Sequence, residues 1–256
     1  MGTEYPIMEN LTVSTFEDKL PEDRSPQRPL QTSTRRFPKR IILVRHGESL
    51  GNVNESAYCE ISDWRIPLTT DGYKMAVDLG TQIHQVVRDD PVFIYCSPYQ
   101  RTKQTLHGIM QTLPKTAVVG LREEPQLTEQ QFGNLQSQED MVQFKKDRSK
   151  FGKFYYRFPN GESGLDVYNR VTSFIDTLFR SWNKMKSIDD QNVIMVTHGL
   201  TLRLFLMRWF QYTVEDFEDS LNPPNCGMVV LEREEDSYGT QFFVLSEDSK
   251  RLCGLR

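Results

Sequence analysis

The apolar residues of this chain fall into two kinds of pattern. Short continuous runs form the first: Ile41-Ile42-Leu43-Val44, Val92-Phe93-Ile94-Tyr95-Cys96 and Val193-Ile194-Met195-Val196. Runs of this length, rich in β-branched residues, predict strands buried on both faces, as in a parallel sheet. Helical spacing is the second pattern. Ala76, Leu79, Ile83 and Val86 recur on one face after a start signal at Thr69-Thr70. Tyr168, Val171, Ile175, Leu178 and Trp182 do the same over 165–182. Ser97-Pro98 reads as an N-cap with proline at the first helical position. An almost wholly apolar helix is expected after Thr197-His198-Gly199. Residues 117–119 predict a short third strand. Residues 228–231 and 242–245 predict a late antiparallel hairpin, with Gly239 in its polar connection.

Strands alternating with helices predict an α/β fold: a three-layer α/β/α sandwich, its sheet mostly parallel, with helices on both faces. Two segments stand outside this alternation. Residues 122–162 read as irregular, basic and aromatic, a cap-like insertion in a folded domain over 39–256. Residues 1–38 hold Pro6, Pro21, Pro26, Pro29 and Pro38 with few apolar residues, which predicts a disordered or weakly ordered tail, with order beginning at Arg40.

Composition narrows the function classes. The net charge of −4 supplies no basic field, so neither nucleic acid nor an anionic membrane surface is an expected partner. The longest apolar stretch, 200–210, is too short to span a bilayer and carries Arg203 and Arg208. Cys59, Cys96, Cys226 and Cys253 form no CxxC pair and no metal-ligand spacing, which points to a reducing compartment and to no metal. Residues 1–39 lack the apolar core of a secretory signal, and their acids argue against organelle import. The expected location is the cytoplasm or the nucleus.

In open α/β sheets, ligands bind beyond the carboxyl ends of the strands. The chemically loaded residues fall there: Arg45-His46-Gly47, Ser97-Pro98 leading to Arg101, and Thr197-His198-Gly199. Neutral imidazole can attack phosphorus and form a covalent intermediate. A guanidinium fork matches phosphate oxygens. Gly47 is expected to let main-chain N–H groups approach a bound anion. Taken singly, each residue has an ordinary alternative: a strand-end histidine at the surface, a solvated helical arginine, a structural histidine. Two histidines and two arginines converging on one sheet edge instead suit a phosphoryl group, whose charge is held on several oxygens during transfer.

Leu43-Val44-Arg45-His46-Gly47-Glu48-Ser49 closely resembles the signature of the histidine phosphatase (phosphoglycerate mutase-like) superfamily. The resemblance continues through Asn52, Leu68-Thr69-Thr70-Asp71-Gly72, Ser97-Pro98-Tyr99-Gln100-Arg101-Thr102 with Gln104-Thr105, and Val196-Thr197-His198-Gly199. It covers about residues 39–232 and is strongest toward the plant phosphoglycerate-mutase-like proteins, which share a counterpart of 151–163. It implies His46 as nucleophile, a phosphate pocket of Arg45, Arg101 and His198, and substrate contacts from Asn52 and Gly199. Leu127-Thr128-Glu129-Gln130-Gln131-Phe132-Gly133 matches the block carrying the general acid, which places that acid at Glu129. Glu123 and Glu124 are nearby competitors without the following Phe-Gly. Glu162 is open to two roles: capping the long helix with Ser163, or holding a pocket arginine. His84 and His107 read as ordinary surface or packing histidines.

The implied activity is hydrolysis of a small phosphorylated metabolite, without metal or other cofactor. Cofactor-dependent mutases carry an Asn-Glu-Arg-His-Tyr-Gly block around the acid and a later Trp-Arg-Arg. This chain has Thr128-Glu129-Gln130-Gln131-Phe132-Gly133 and no matching Trp-Arg-Arg. The alternatives are a phosphoglycerate mutase-type phosphotransferase of carbohydrate metabolism, and an inactive binding scaffold on the same fold. Retention of both histidines, both arginines and Glu129 argues against the scaffold, since clustered like charges destabilise a fold that does not use them. Lys145, Lys146, Arg148, Lys150, Lys153 and Arg157, interleaved with Phe144, Phe151, Phe154, Tyr155, Tyr156 and Phe158, read as a helical cap with aromatics inward and cations outward. A lid whose cations meet substrate is the other reading.

Overall fold

The computed structural model describes residues 36–133 and 137–255. Its elements in chain order are β1 (Arg40–Arg45), α1 (Leu50–Val53), α2 (Ala57–Glu60), α3 (Thr70–Val87), β2 (Val92–Cys96), α4 (Gln100–Ile109), β3 (Val118–Glu123), α5 (Gln138–Phe151), α6 (Gly164–Trp182), β4 (Asn192–Thr197), α7 (Gly199–Phe210), α8 (Val214–Asp219), β5 (Met228–Glu235), β6 (Gln241–Leu245) and α9 (Glu247–Cys253). Among the described residues the strands form one sheet in the order β3-β2-β4-β1-β5-β6. The pairs β1/β4, β2/β4 and β2/β3 are parallel, and β5 and β6 add an antiparallel edge.

Side-chain alternation along the central strands builds the three layers. Ile41 and Leu43 of β1, with Val193 and Met195 of β4, enter the core shared with α6 and α7. Ile42 and Val44, with Ile194 and Val196, point the other way, into the core under α3 and α4. Each such side chain, removed wholly from water, contributes about 2 kcal/mol. A period of two residues with both faces covered explains why these strands read as unbroken apolar runs.

The sequence expectations need four corrections here. Phe37 belongs to the folded domain: its ring packs on Phe179 at 6.1 Å and Phe243 at 5.8 Å, and Arg233 donates to its carbonyl oxygen. Ordered packing therefore starts before Arg40, while residues 1–35 of the expected tail lie outside the described residues. The third strand is longer than 117–119. It lies at the sheet edge with Val119 and Leu121 exposed, so it lacks a buried apolar run to announce it. Residues 122–162 are not irregular throughout: the expected helical cap is α5, which occupies Gln138–Phe151 and so starts before and ends within the basic-aromatic stretch 144–158, with Ser137 accepting from the N–H of Asp140. Finally, α4 begins at Gln100, with Tyr99 and not Ser97 at its N-cap. The Ser97 hydroxyl is committed to His198 instead.

Candidate active site

Register explains how distant residues meet. Arg45 pairs with Thr197 across β1 and β4, and Cys96 pairs with Val196 across β2 and β4. The next residues, His46, Ser97 and His198, therefore leave the sheet side by side at its carboxyl edge. The rings of His46 and His198 lie 5.2 Å apart. The Tyr99 ring lies 5.0 Å from His198, and the Arg101 guanidinium lies over Tyr99 at 4.9 Å.

His46 is held from several sides. Its N–H donates to Thr197 O, and its carbonyl accepts from Asn225 Nδ2 and Cys226 N. Its Nδ1 lies 2.7 Å from Gly47 O. A carbonyl only accepts, so Nδ1 carries the proton and Nε2 keeps the lone pair. Burial, then the field of Arg101 and Arg45, holds the His46 imidazole well below the usual histidine range. The ring is thus neutral and nucleophilic at Nε2. His198 is depressed in the same way, by burial first and then by Arg101, His46, Arg170 and Arg45. Its Nε2 lies 2.8 Å from Ser97 Oγ. A serine hydroxyl donating there leaves the proton of His198 on Nδ1.

The arginines are anchored at one end and open at the other. Arg45 Nη1 donates to Pro223 O at 2.7 Å. Arg101 Nη1 donates to the backbone and carboxylate of Asp63 at 2.7 and 2.8 Å. Burial raises the Asp63 carboxyl more than this ion pair lowers it. Arg45 Nε, Arg101 Nε and His198 Nδ1 are all buried, with no acceptor among the described residues. Leaving a buried donor unmade costs about 1–3 kcal/mol each, so three together mark a place built for acceptors.

Glu129 sits where α7 begins. Its carboxylate accepts from Leu200 N and Thr201 N, both at 3.3 Å, and from Thr201 Oγ1 at 3.1 Å. Unpaired N–H groups at a helix N-terminus draw a carboxylate there. The loop bearing it is tied down by Thr197 Oγ1 to Leu127 O and Thr201 Oγ1 to Thr128 O, both 2.7 Å. Arg45 lies within the electrostatic reach of Glu129, so the carboxylate belongs to the same site as the imidazoles. Glu123 ends β3 paired with Lys103, and Glu124 accepts from Gln126 N; neither has this placement.

The remaining expectations divide. Asn52 lies at the site, with Oδ1 accepting from Ser49 N, Ser49 Oγ and Asn225 Nδ2, which leaves its NH2 for a ligand. Gly199 brings the start of α7 against Asn222: a Cβ there would meet that side chain at 2.9 Å. Gly47 is corrected. Its N–H already donates to Thr105 Oγ1 at 2.9 Å, and a Cβ would strike Gly72 O at 2.5 Å. Its smallness lets the loop after β1 lie on the first turn of α3, and its N–H is not free for an anion. Glu162 takes the arginine role: it pairs with Arg170, whose Nη1 and Nη2 donate to Gln126 O and Glu129 O. Ser163 caps α6 in a capping box with Asp166. In the cap, Phe154 and Phe158 are buried, yet Phe151 and Tyr155 face outward, contrary to the inward expectation. Lys145 pairs with Glu55 and Arg157 with Asp166, while Arg148 turns inward over Phe158 with its Nε buried. His107 meets Tyr73 away from the strand ends.

Sequence reasoning missed Asp63, Ser97 as a histidine partner, and Arg170. Each acts through a partner at least 38 residues away or through a loop contact, so local spacing carries no signal for it.

One pH prediction follows. Both histidines resist protonation in the folded chain and accept it near 6.5 when unfolded. The unfolded state then binds more protons, so stability is intact above pH 6.5 and falls as pH drops through that value toward the folded ones. Thermal melts from about pH 7.5 to 4.5 should show this, and the His46→Ala, His198→Ala double variant should flatten the slope. An unchanged slope in that variant would contradict the burial argument.

Comparison with known proteins agrees with this geometry. The family described as "Histidine phosphatase superfamily (branch 1)" matches residues 41–244. Phosphoglycerate mutase-like protein AT74 of Arabidopsis thaliana is 44% identical over 206 residues, covering 77% of this chain. The chain spans 65% of that relative's length. Broad-range acid phosphatase DET1 of Saccharomyces cerevisiae is 28% identical, over 77% of this chain and 86% of its own. A mycobacterial glucosyl-3-phosphoglycerate phosphatase solved with VO3 superposes with a TM-score of 0.64 at 20% identity, over 81% of this chain and 97% of its own. At that identity the likeness speaks for the fold alone. No described helix is long and apolar enough to cross a membrane. With the paired imidazoles at its sheet edge, and with the family matching residues 41–244, this chain belongs to the histidine phosphatase superfamily.

Proposed function

We propose that the chain hydrolyses a small phosphomonoester through a phosphohistidine on His46. One observation carries the reading: the buried Nε donors of Arg45 and Arg101, and His198 Nδ1 as a donor when the Ser97 hydroxyl donates to Nε2, have no acceptor among the described residues and lie in the same site as the lone pair of His46 Nε2. That donor set matches the oxygens of a tetrahedral anion. In the first step Nε2 attacks phosphorus, the bond to the alcohol oxygen breaks, and Glu129 gives that oxygen a proton. In the second step Glu129 takes a proton from water, the water oxygen attacks phosphorus, and the bond to Nε2 breaks. Inorganic phosphate leaves and His46 returns neutral.

Asn52 contributes its NH2 to the phosphoryl oxygens, and Gly199 places the N-terminus of α7 beside them. The described residues of 122–162 form a cap over this edge. Two similar proteins are named as phosphatases and one as mutase-like, so product analysis is the test. A panel of phosphomonoesters should yield inorganic phosphate. 3-Phosphoglycerate primed with 2,3-bisphosphoglycerate should not yield 2-phosphoglycerate; its formation would replace hydrolysis by mutase chemistry.

A further inference from the structure

A cavity of about 580 Å³ opens beside the site, and its walls differ in chemistry from the phosphoryl pocket. Tyr99 and Asp63 belong to both: one packs on His198, the other binds Arg101. Gln131, Phe132 and Gly133, which line it, are separated from Glu129 by Gln130 alone. A leaving group protonated by Glu129 therefore has this cavity as its adjacent space. Tyr58, Trp64, Tyr99 and Phe132 supply aromatic surface, with Tyr58 and Phe132 in edge contact at 6.0 Å. The charged side chains among the described lining residues are Glu60 and Asp63, and no lysine or arginine lines it. Arg101 is bound to Asp63, and Arg65 stacks on Trp64 at 4.6 Å without being a lining residue. None of the cap cations is among the described lining residues: Lys145 is paired with Glu55, Arg157 with Asp166, and Arg148 lies over Phe158.

We infer that the alcohol part of the substrate is uncharged and carries a ring, aryl or sugar, whose face lies against these aromatics. The inference rests on the hydrolytic reading of the same site. Aromatic faces hold a ring through its apolar area and C–H edges. A second anion on the leaving group meets the unpaired carboxylate of Glu60 and an Asp63 already committed to Arg101, with no cation among the described lining residues, and like-charge juxtaposition opposes it. Glycerate and bisphosphate leaving groups are the ones disfavoured, which separates this chain from mutase chemistry on a ground independent of sequence motifs.

The test compares phosphate release from glycerol 3-phosphate and 3-phosphoglycerate, which differ by a hydroxymethyl against a carboxylate. The expected kcat/KM ratio is roughly tenfold or more in favour of the uncharged member. Glu60→Lys, a change at an exposed position, should cut that ratio about tenfold by attracting the carboxylate. Phenyl phosphate and glucose 6-phosphate form the ring arms. Trp64→Ala should lower one or both about tenfold relative to glycerol 3-phosphate, and which arm falls further tells aryl from sugar. Equal rates for the charged and uncharged pair, or a Trp64→Ala ratio unchanged for both rings, would overturn the inference while leaving hydrolysis standing. Failure of every monoester to release phosphate, with no adduct on His46, would overturn the hydrolytic reading and this one with it.

Discussion

His46→Ala is expected to lower phosphate release by about ten-thousandfold or more, because it removes the one group that forms the covalent intermediate. No neighbour replaces it. His198 Nε2 is engaged by Ser97 Oγ, and with that hydroxyl donating, the proton sits on Nδ1 and the ring is a donor in this site. The fold should persist in the variant. The ring is not a structural hydrogen-bond hub: its one hydrogen bond among the described residues is to the adjacent Gly47 O, and the backbone of residue 46 keeps its bonds to Thr197, Asn225 and Cys226. Circular dichroism and a thermal melt verify folding, and steady-state assay reads the loss. A variant that retains rates within tenfold of the parent would remove His46 from the chemistry.

Glu129→Gln carries the second large effect, and its signature is the dependence on leaving group. An alkoxide is a poor leaving group, so alkyl phosphates should lose roughly a hundredfold to ten-thousandfold without the proton donor. 4-Nitrophenolate departs without help, so its phosphate ester should lose less than about tenfold in the first step. Leu200 N and Thr201 N donate to different oxygens of Glu129, so glutamine keeps one of these two bonds, while Thr197 Oγ1 to Leu127 O and Thr201 Oγ1 to Thr128 O still hold the loop bearing residue 129 on the start of α7. A merely structural role would lower both substrates alike, and an equal loss would take Glu129 out of proton transfer.

Much of this site was legible because its parts sit where regular structure ends. The apolar runs of β1, β2 and β4 locate three strand ends, and the residues just past them are His46, Ser97 and His198. What no run of residues reveals is which strands are neighbours. The order β2-β4-β1, which sets the two imidazoles 5.2 Å apart, comes from the insertion of the fourth strand between the first two. The start of α4 was misplaced for a related reason. Ser97-Pro98 is a strong local capping signal, and a long-range bond to His198 overrides it. A helical cap was expected here, but the bounds of α5 and its inward face were not legible, because charged and apolar residues are mixed around it; Met141 is its one buried residue. Arg170 and Asp63 are visible only in three dimensions, as the partners that hold the Glu129 loop and Arg101 in place.

Rapid chemical quench with a labelled phosphomonoester, followed by peptide mapping of the trapped protein, reaches the central claim most directly. The label should sit on His46, survive alkali and be lost in acid, and it should appear before free phosphate. Label on His198, an acid-stable ester on a hydroxyl side chain, or full turnover with no labelled protein would contradict the account.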